Sequence, residues 1–253
     1  MLVVAASLAA AQQAGAVRKN EFKLLVTAVD TATALKTLGL ERQSADKEIV
    51  YFFDTSDKML QAHHVTLRAR QPVGRSGGDA TVKLRAPAGT LALSEEERTL
   101  QPEQDWTSEH EPSEARSLTR DDLPDGLVSK VGEGSMPLVK LFSQEQQNLL
   151  RARLPGVDWK SLKNLGPIEA EVWARQGRLN GFEKPVTVEL WHLRQNGREQ
   201  EILEVSAKGK AKTDADAQLL ARQFFAAARA AGLGDPDGRT KTKLVMHFFS
   251  TEH

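Results

Sequence analysis

The sequence predicts an α+β protein in which several short strands carry charge on one face and apolar side chains on the other, with helices covering the apolar face. Three observations lead there. The run Val65-Thr66-Leu67-Arg68-Ala69-Arg70 alternates, and because successive strand side chains point to opposite sides, Arg68 and Arg70 share one face while Leu67 and Ala69 share the other. The same alternation recurs at Glu21 and Lys23 around Phe22, at Lys83 and Arg85 around Leu84, and at Glu204 and Lys208 around Val205 and Ala207. Two later strands are joined by Gln195-Asn196-Gly197, and Asn-Gly supplies the positive φ angles of a tight hairpin. A set of strands that all aim charge one way either presents a water-facing surface, the ordinary reading of such alternation, or lines a wet cavity.

Taken in order, Arg18 to Val29 reads as the first strand, followed by a short helix over TATALKTLGL that Asp30 caps and Gly39 ends. Glu48 to Asp54 is the second strand, Thr55 to Gln61 a turn or short helical piece, and Val65 to Gln71 the third strand. The loop PVGRSGGDA carries no phosphate-loop pattern. Thr81 to Arg85 and Glu95 to Leu100 are read as the fourth and fifth strands. The acidic, serine- and proline-bearing segment from Pro102 to Pro137 reads as helices and loops. Leu138 to Arg153 and Asp158 to Leu162 are ambiguous by periodicity. Strands return at Pro167 to Arg175, Val186 to Arg194 and Glu201 to Lys208. The clearest helix spans Thr213 to Ala231, where Leu219, Leu220, Phe224, Ala227 and Ala228 form an apolar stripe that Gly232 stops. Thr240 to Phe249 reads as a last strand.

Composition excludes several function classes. The 253 residues contain 34 basic and 34 acidic side chains, so no overall field points to nucleic acid, and any anion preference must be local. The absence of cysteine removes disulfides, thiolate catalysis and Cys-ligated zinc. No run approaches the roughly 18 apolar residues of a membrane span. One domain over residues 18–253 is expected. Residues 1–17 read either as the apolar centre of a secretory signal without its basic leader or as a short lead-in, which leaves cytoplasmic and secreted or periplasmic locations both open. His63 and His64 are adjacent and face opposite ways on a strand; Ser94 and Ser206 lie in no nucleophile elbow; Trp106, Trp159, Trp173 and Trp191 read as packing residues.

Several segments together, EFK at 21–23, YFFDTSDKMLQAHHVTLRAR at 51–70, VKL at 82–84, EVSAKG at 204–209 ahead of a long helix and TKTK at 240–243, resemble the CYTH family, the triphosphate tunnel metalloenzymes. The resemblance covers about residues 18–249. It implies a closed antiparallel barrel of roughly eight strands, with helices outside and an interior wide enough for a ligand. It implies that Lys23, Arg68, Arg70, Lys83, Arg175 and Lys241 grip a triphosphate-containing small molecule or polyphosphate through charge-assisted hydrogen bonds, and Lys208 joins them by its place on the strand face of Glu204. It implies Glu21 and Glu204 as catalytic carboxylates which, with Glu189 behind them, hold Mg²⁺ or Mn²⁺ for hydrolysis of the terminal phosphate. The family's first strand reads Glu-x-Glu-x-Lys, yet Lys19 stands at the first Glu, and Ser206 stands where the late strand carries a second one. Each change removes a negative ligand and lowers the expected metal affinity. A replacement carboxylate is sought in Glu95-Glu96-Glu97, against its reading as a solvated strand end. The alternatives are a polyanion-binding protein with little or no catalysis, and an adenylyl cyclase of the same family.

Overall fold

The computed structural model describes residues 18–250; the signal-like segment lies outside them. Nine strands close into one barrel: β1 (Arg18–Leu25), β2 (Asp46–Asp54), β3 (Val65–Pro72), β4 (Asp79–Pro87), β5 (Pro102–Trp106), β6 (Ser113–Arg120), β7 (Lys163–Leu179), β8 (Phe182–Gln195) and β9 (Arg198–Ala211). Around the wall the order is β1-β5-β6-β4-β3-β2-β7-β8-β9, and β9 pairs back to β1. The expected closed barrel is present, with one strand more than eight. It departs from an all-antiparallel wall in one place, where β1 runs parallel to β5 with Glu21 opposite Asp105.

The described residues contain seven α-helices: α1 (Thr31–Thr37), α2 (Met59–Ala62), α3 (Glu95–Thr99), α4 (Leu127–Gly132), α5 (Gln144–Arg153), α6 (Asp214–Ala230) and α7 (Lys241–Ser250). Asp30 accepts from the Thr33 amide at 2.9 Å and starts α1, as its position predicts. Two cores lie outside the wall. One packs Phe22, Val188 and Val205 from the strands against Phe224 and Phe225 of α6. The other packs Leu67, Val82 and Leu84 under α2, α4 and α5, where the buried Gln146 donates to the carbonyls of Ala80 and Leu118 at 2.8 Å. A third core lies on the inward side: Phe52, Ile168, Trp191 and Ile202 pack against Val245, Met246, Phe248 and Phe249 of α7. The C-terminal helix therefore fills part of the interior with apolar side chains and leaves the rest wet.

Three segments depart from the sequence reading. Glu95 to Leu100 is helix α3 followed by its cap: Ser94 accepts from the Glu97 amide while the Glu97 carboxylate accepts from the Ser94 amide, a reciprocal box that only a helix start can use. Thr240 to Phe249 is helical because Val245, Phe248 and Phe249 fall at spacings of three and four, which place them on one helix face. Pro102 to Pro137 contains β5 and β6, whose inward side chains are carboxylates and hydroxyls; a wet lumen removes the apolar alternation by which a strand is recognised.

Candidate functional site

The strand alternation sets up the site. Arg68 lies opposite Phe52 and Thr81, Arg70 opposite Val50 and Asp79, and Lys83 opposite Thr66 and Ser117, so inward side chains of β2, β3, β4 and β6 share one face. They open on a cavity of about 590 Å³. Eight basic and five acidic side chains line it, an excess of three cations, and Asp79 and Glu48 each pair with Arg70 at its edge.

The centre of this charge is Asp105 on β5, only 1% exposed. Lys83 Nζ lies 2.9 Å and Arg85 Nε 3.2 Å from its Oδ2, and Lys23 Nζ lies 3.3 Å from its Oδ1. Burial pushes the Asp105 carboxyl up, but the three cations outweigh burial and hold it well below the usual carboxylate range. Lys23 also meets Glu21 at 2.7 Å; against the pull of burial, Asp105 and Glu21 raise its ammonium above the ordinary lysine value. Asp105 was not among the residues singled out from the sequence. The signal available was Asp105-Trp106 at the end of a five-residue segment, too short and polar to stand out as a strand.

The two arginines differ. Arg70 donates from Nε to Asp79 Oδ2 at 2.9 Å and meets Glu48 at 3.9 Å. Arg68 approaches Asp79 only to 3.9 Å, and its buried Nε has no hydrogen-bond partner. Burial and the like charge of Arg70 lower the Arg68 pKa from its ordinary value. A desolvated guanidinium with an unfilled donor is costly unless an anion completes it.

At the other side, Lys241 opens α7 and projects between Glu189 and Glu204, which face each other across β8 and β9. Its Nζ contacts Glu189 Oε2, lies 3.1 Å from Glu204 Oε1 and sits 4.1 Å above the Trp191 ring, while Trp191 Nε1 donates to Glu189 at 2.9 Å. Burial raises the Glu189 carboxyl, but Lys241, with Arg70 and Arg68 behind it, holds the carboxyl at about 2. A depressed carboxyl stabilises the fold above its unfolded value and loses that contribution as pH falls through the folded one. Wild-type stability is therefore expected to decline between pH 4.5 and about 2 through this group. Glu189→Gln flattens that part of a melting-temperature profile; an unaltered acid limb counts against the ion pair.

The structure thus brings Glu21, Lys23, Arg68, Arg70, Lys83, Glu189, Glu204 and Lys241 to one cavity, with Lys208 at its rim, 84% exposed and 4.0 Å from Glu21. Lys241 reaches it from a helix rather than a strand. Arg175 does not reach it: register shifts in β7 between Trp173 and Gly177 carry Arg175, at φ 58°, onto the exposed outside. Glu95, Glu96 and Glu97 are also absent from the lining, being held in α3.

The carboxylates expected to hold Mg²⁺ or Mn²⁺ fit that task poorly. Among the described residues no group of three His, Cys, Asp or Glu side chains is placed to hold a metal ion. Glu189 and Glu204 converge on the Lys241 ammonium, while Glu21 turns to Lys23.

No family model matches the sequence, and no curated protein matches it. Solved structures do match. A candidate adenylyl cyclase from Hippeastrum, described as having a dominant triphosphatase activity, is 14% identical with a TM-score of 0.56, over 90% of this chain and 95% of that one. A candidate adenylate cyclase from Bacillus halodurans is 16% identical with a TM-score of 0.53, over 89% of this chain and 97% of that one. What they share with this chain is the fold. Among the described residues no helix is long and apolar enough to cross a membrane.

Proposed function

We propose that the barrel holds the triphosphate portion of a small molecule or of inorganic polyphosphate in its wet half. The observation that carries this reading is Arg68, a guanidinium kept in a cavity with an excess of cations and a buried donor left unfilled. A non-bridging phosphate oxygen is a suitable acceptor, because those oxygens carry the negative charge onto which a guanidinium forks. Asp105 keeps Lys23, Lys83 and Arg85 gathered before the ligand arrives, so less ordering is needed on binding.

A second reading, hydrolysis of the terminal phosphate, is favoured by the triphosphatase activity described for the Hippeastrum protein of the same fold. In that reading the arginines and lysines fix the phosphates, and Glu21, 4.0 Å from the rim residue Lys208, is a carboxylate near the opening. Mg²⁺ or Mn²⁺ belongs to this reading as a variable of the assay, since the residues present do not make a cage for it.

Calorimetric titration with tripolyphosphate in metal-free buffer tests the first reading, and micromolar binding is the expected result. An absence of binding up to millimolar ligand overturns it. Phosphate release from tripolyphosphate and from ATP, titrated with Mg²⁺ and Mn²⁺ and accompanied by a cyclic AMP measurement, separates capture from hydrolysis and from cyclisation.

A further inference from the structure

A second hollow, of about 530 Å³, opens at the end of the barrel where β1 begins and β9 finishes. Lys19, Lys184, Lys208 and Lys210 line it, and it shares Glu21, Glu103, Asp105 and Lys208 with the main cavity, so the two adjoin. Lys19 and Lys210 are direct cross-strand partners. Alternation along β1 puts Lys19 on the side of Glu21 and Lys23, the inner side of the wall, rather than on the side that Phe22 presents to α6. Like charges placed opposite each other in a sheet repel. Among the described residues, Lys19, Lys184 and Lys210 form no ion pair that would relieve this.

We propose that this lysine collar is a second anion subsite, which takes the phosphates of a linear polyphosphate chain running out of the main cavity, so that the protein prefers chains longer than triphosphate. The inference rests on the triphosphate reading of the main cavity and extends it to the length of the ligand. The two regions suit the two parts of such a chain. Rigid guanidinium forks deep inside fix one end, and flexible ammonium groups at the mouth accept successive phosphates without demanding one register. No aromatic ring lines the collar, so it offers no platform for stacking bases, and this favours an inorganic chain over a single-stranded nucleic acid.

The test compares tripolyphosphate with polyphosphate of tens of units, on the wild-type protein and on the Lys19→Ala/Lys210→Ala variant, because Lys184 lies along Gly209 beside Phe22 and Leu220 on the α6 side of the wall. Loss of two phosphate contacts is expected to weaken long-chain binding roughly tenfold and to lower the salt slope by about one per lysine removed. Tripolyphosphate affinity should stay unchanged, and the melting temperature should hold or rise as the repulsion between Lys19 and Lys210 is relieved. The proposal falls if the variant binds the long chain as the wild type does, if it loses both ligands in parallel, or if an oligonucleotide binds the wild type as tightly as the long chain. Failure of the wild type to bind tripolyphosphate at all overturns the triphosphate reading and takes this one with it. Normal tripolyphosphate binding without a collar effect overturns the collar alone.

Discussion

Arg68→Ala is expected to raise the Kd for tripolyphosphate by roughly tenfold to more than a hundredfold, from the loss of about 1.5–3 kcal/mol in hydrogen bonds to a charged group. The reason is the contrast between two neighbours on β3. Arg70 already spends its guanidinium on Asp79 and Glu48, whereas Arg68 has its Nε buried with nothing to donate to. Removing Arg68 also takes away a buried donor with no partner and the like charge beside Arg70, so the ligand-free variant should melt no lower than the wild type. Arg68→Lys keeps the charge and loses the fork, and its Kd should fall between the two. Titration calorimetry reads the affinity and a thermal melt reads the stability. An unchanged Kd in Arg68→Ala would place the anion elsewhere.

The second large effect is at Asp105. Asp105→Asn preserves shape but leaves Lys23, Lys83 and Arg85 converging on a neutral amide in a buried position. Breaking a buried ion pair from one side costs about 3–5 kcal/mol. The lower end is expected, because Glu21 still faces Lys23 and Glu103 still lies 3.5 Å from Lys83. The held-down Asp105 carboxyl contributes stability that is fully present above the ordinary aspartate value of 3.8 and is lost as pH falls below it toward the lowered folded value, so the variant's stability should vary less in acid. The sharper signature is rescue. Tripolyphosphate supplies the missing negative charge, so it should raise the melting temperature of Asp105→Asn by more than it raises that of the wild type. Equal ligand-induced shifts would mean that the three cations do not face the bound anion.

Much of this site was legible because a charged lumen writes itself into strands of period two. Arg68 and Arg70, Glu21 and Lys23, and Glu204 with Lys208 all share faces as the alternation requires, and the barrel implied by the CYTH resemblance is the fold observed. What escaped did so for physical reasons. In β5 and β6 one face meets water inside the barrel, so Glu103, Asp105, Ser117 and Thr119 look like loop residues, and the residue at the centre of the charge network went unseen. Arg175 was displaced by an irregularity in β7, and a register shift has no reliable mark in composition. Helix α3 did carry its mark, the Ser94-x-x-Glu97 box, and the neighbouring glutamates masked it. In α7 the lysines at Lys241 and Lys243 imitated strand alternation, while the apolar spacing behind them belonged to a helix.

The wall is sewn shut between its first and last strands, β1 and β9, and the ammonium between Glu189 and Glu204 arrives still later in the chain, from α7. No shorter nascent piece can therefore possess the anion hole, since Lys23 waits for Asp105 and Glu204 waits for Lys241. Binding competence should emerge abruptly on a ribosome-stalled series, only once residues well past Lys241 have cleared the exit tunnel. Because the seam joins segments so remote in sequence, its formation belongs to the slow class of folding events, and inorganic polyanions added during refolding should hasten it by quelling repulsion among the gathering cations.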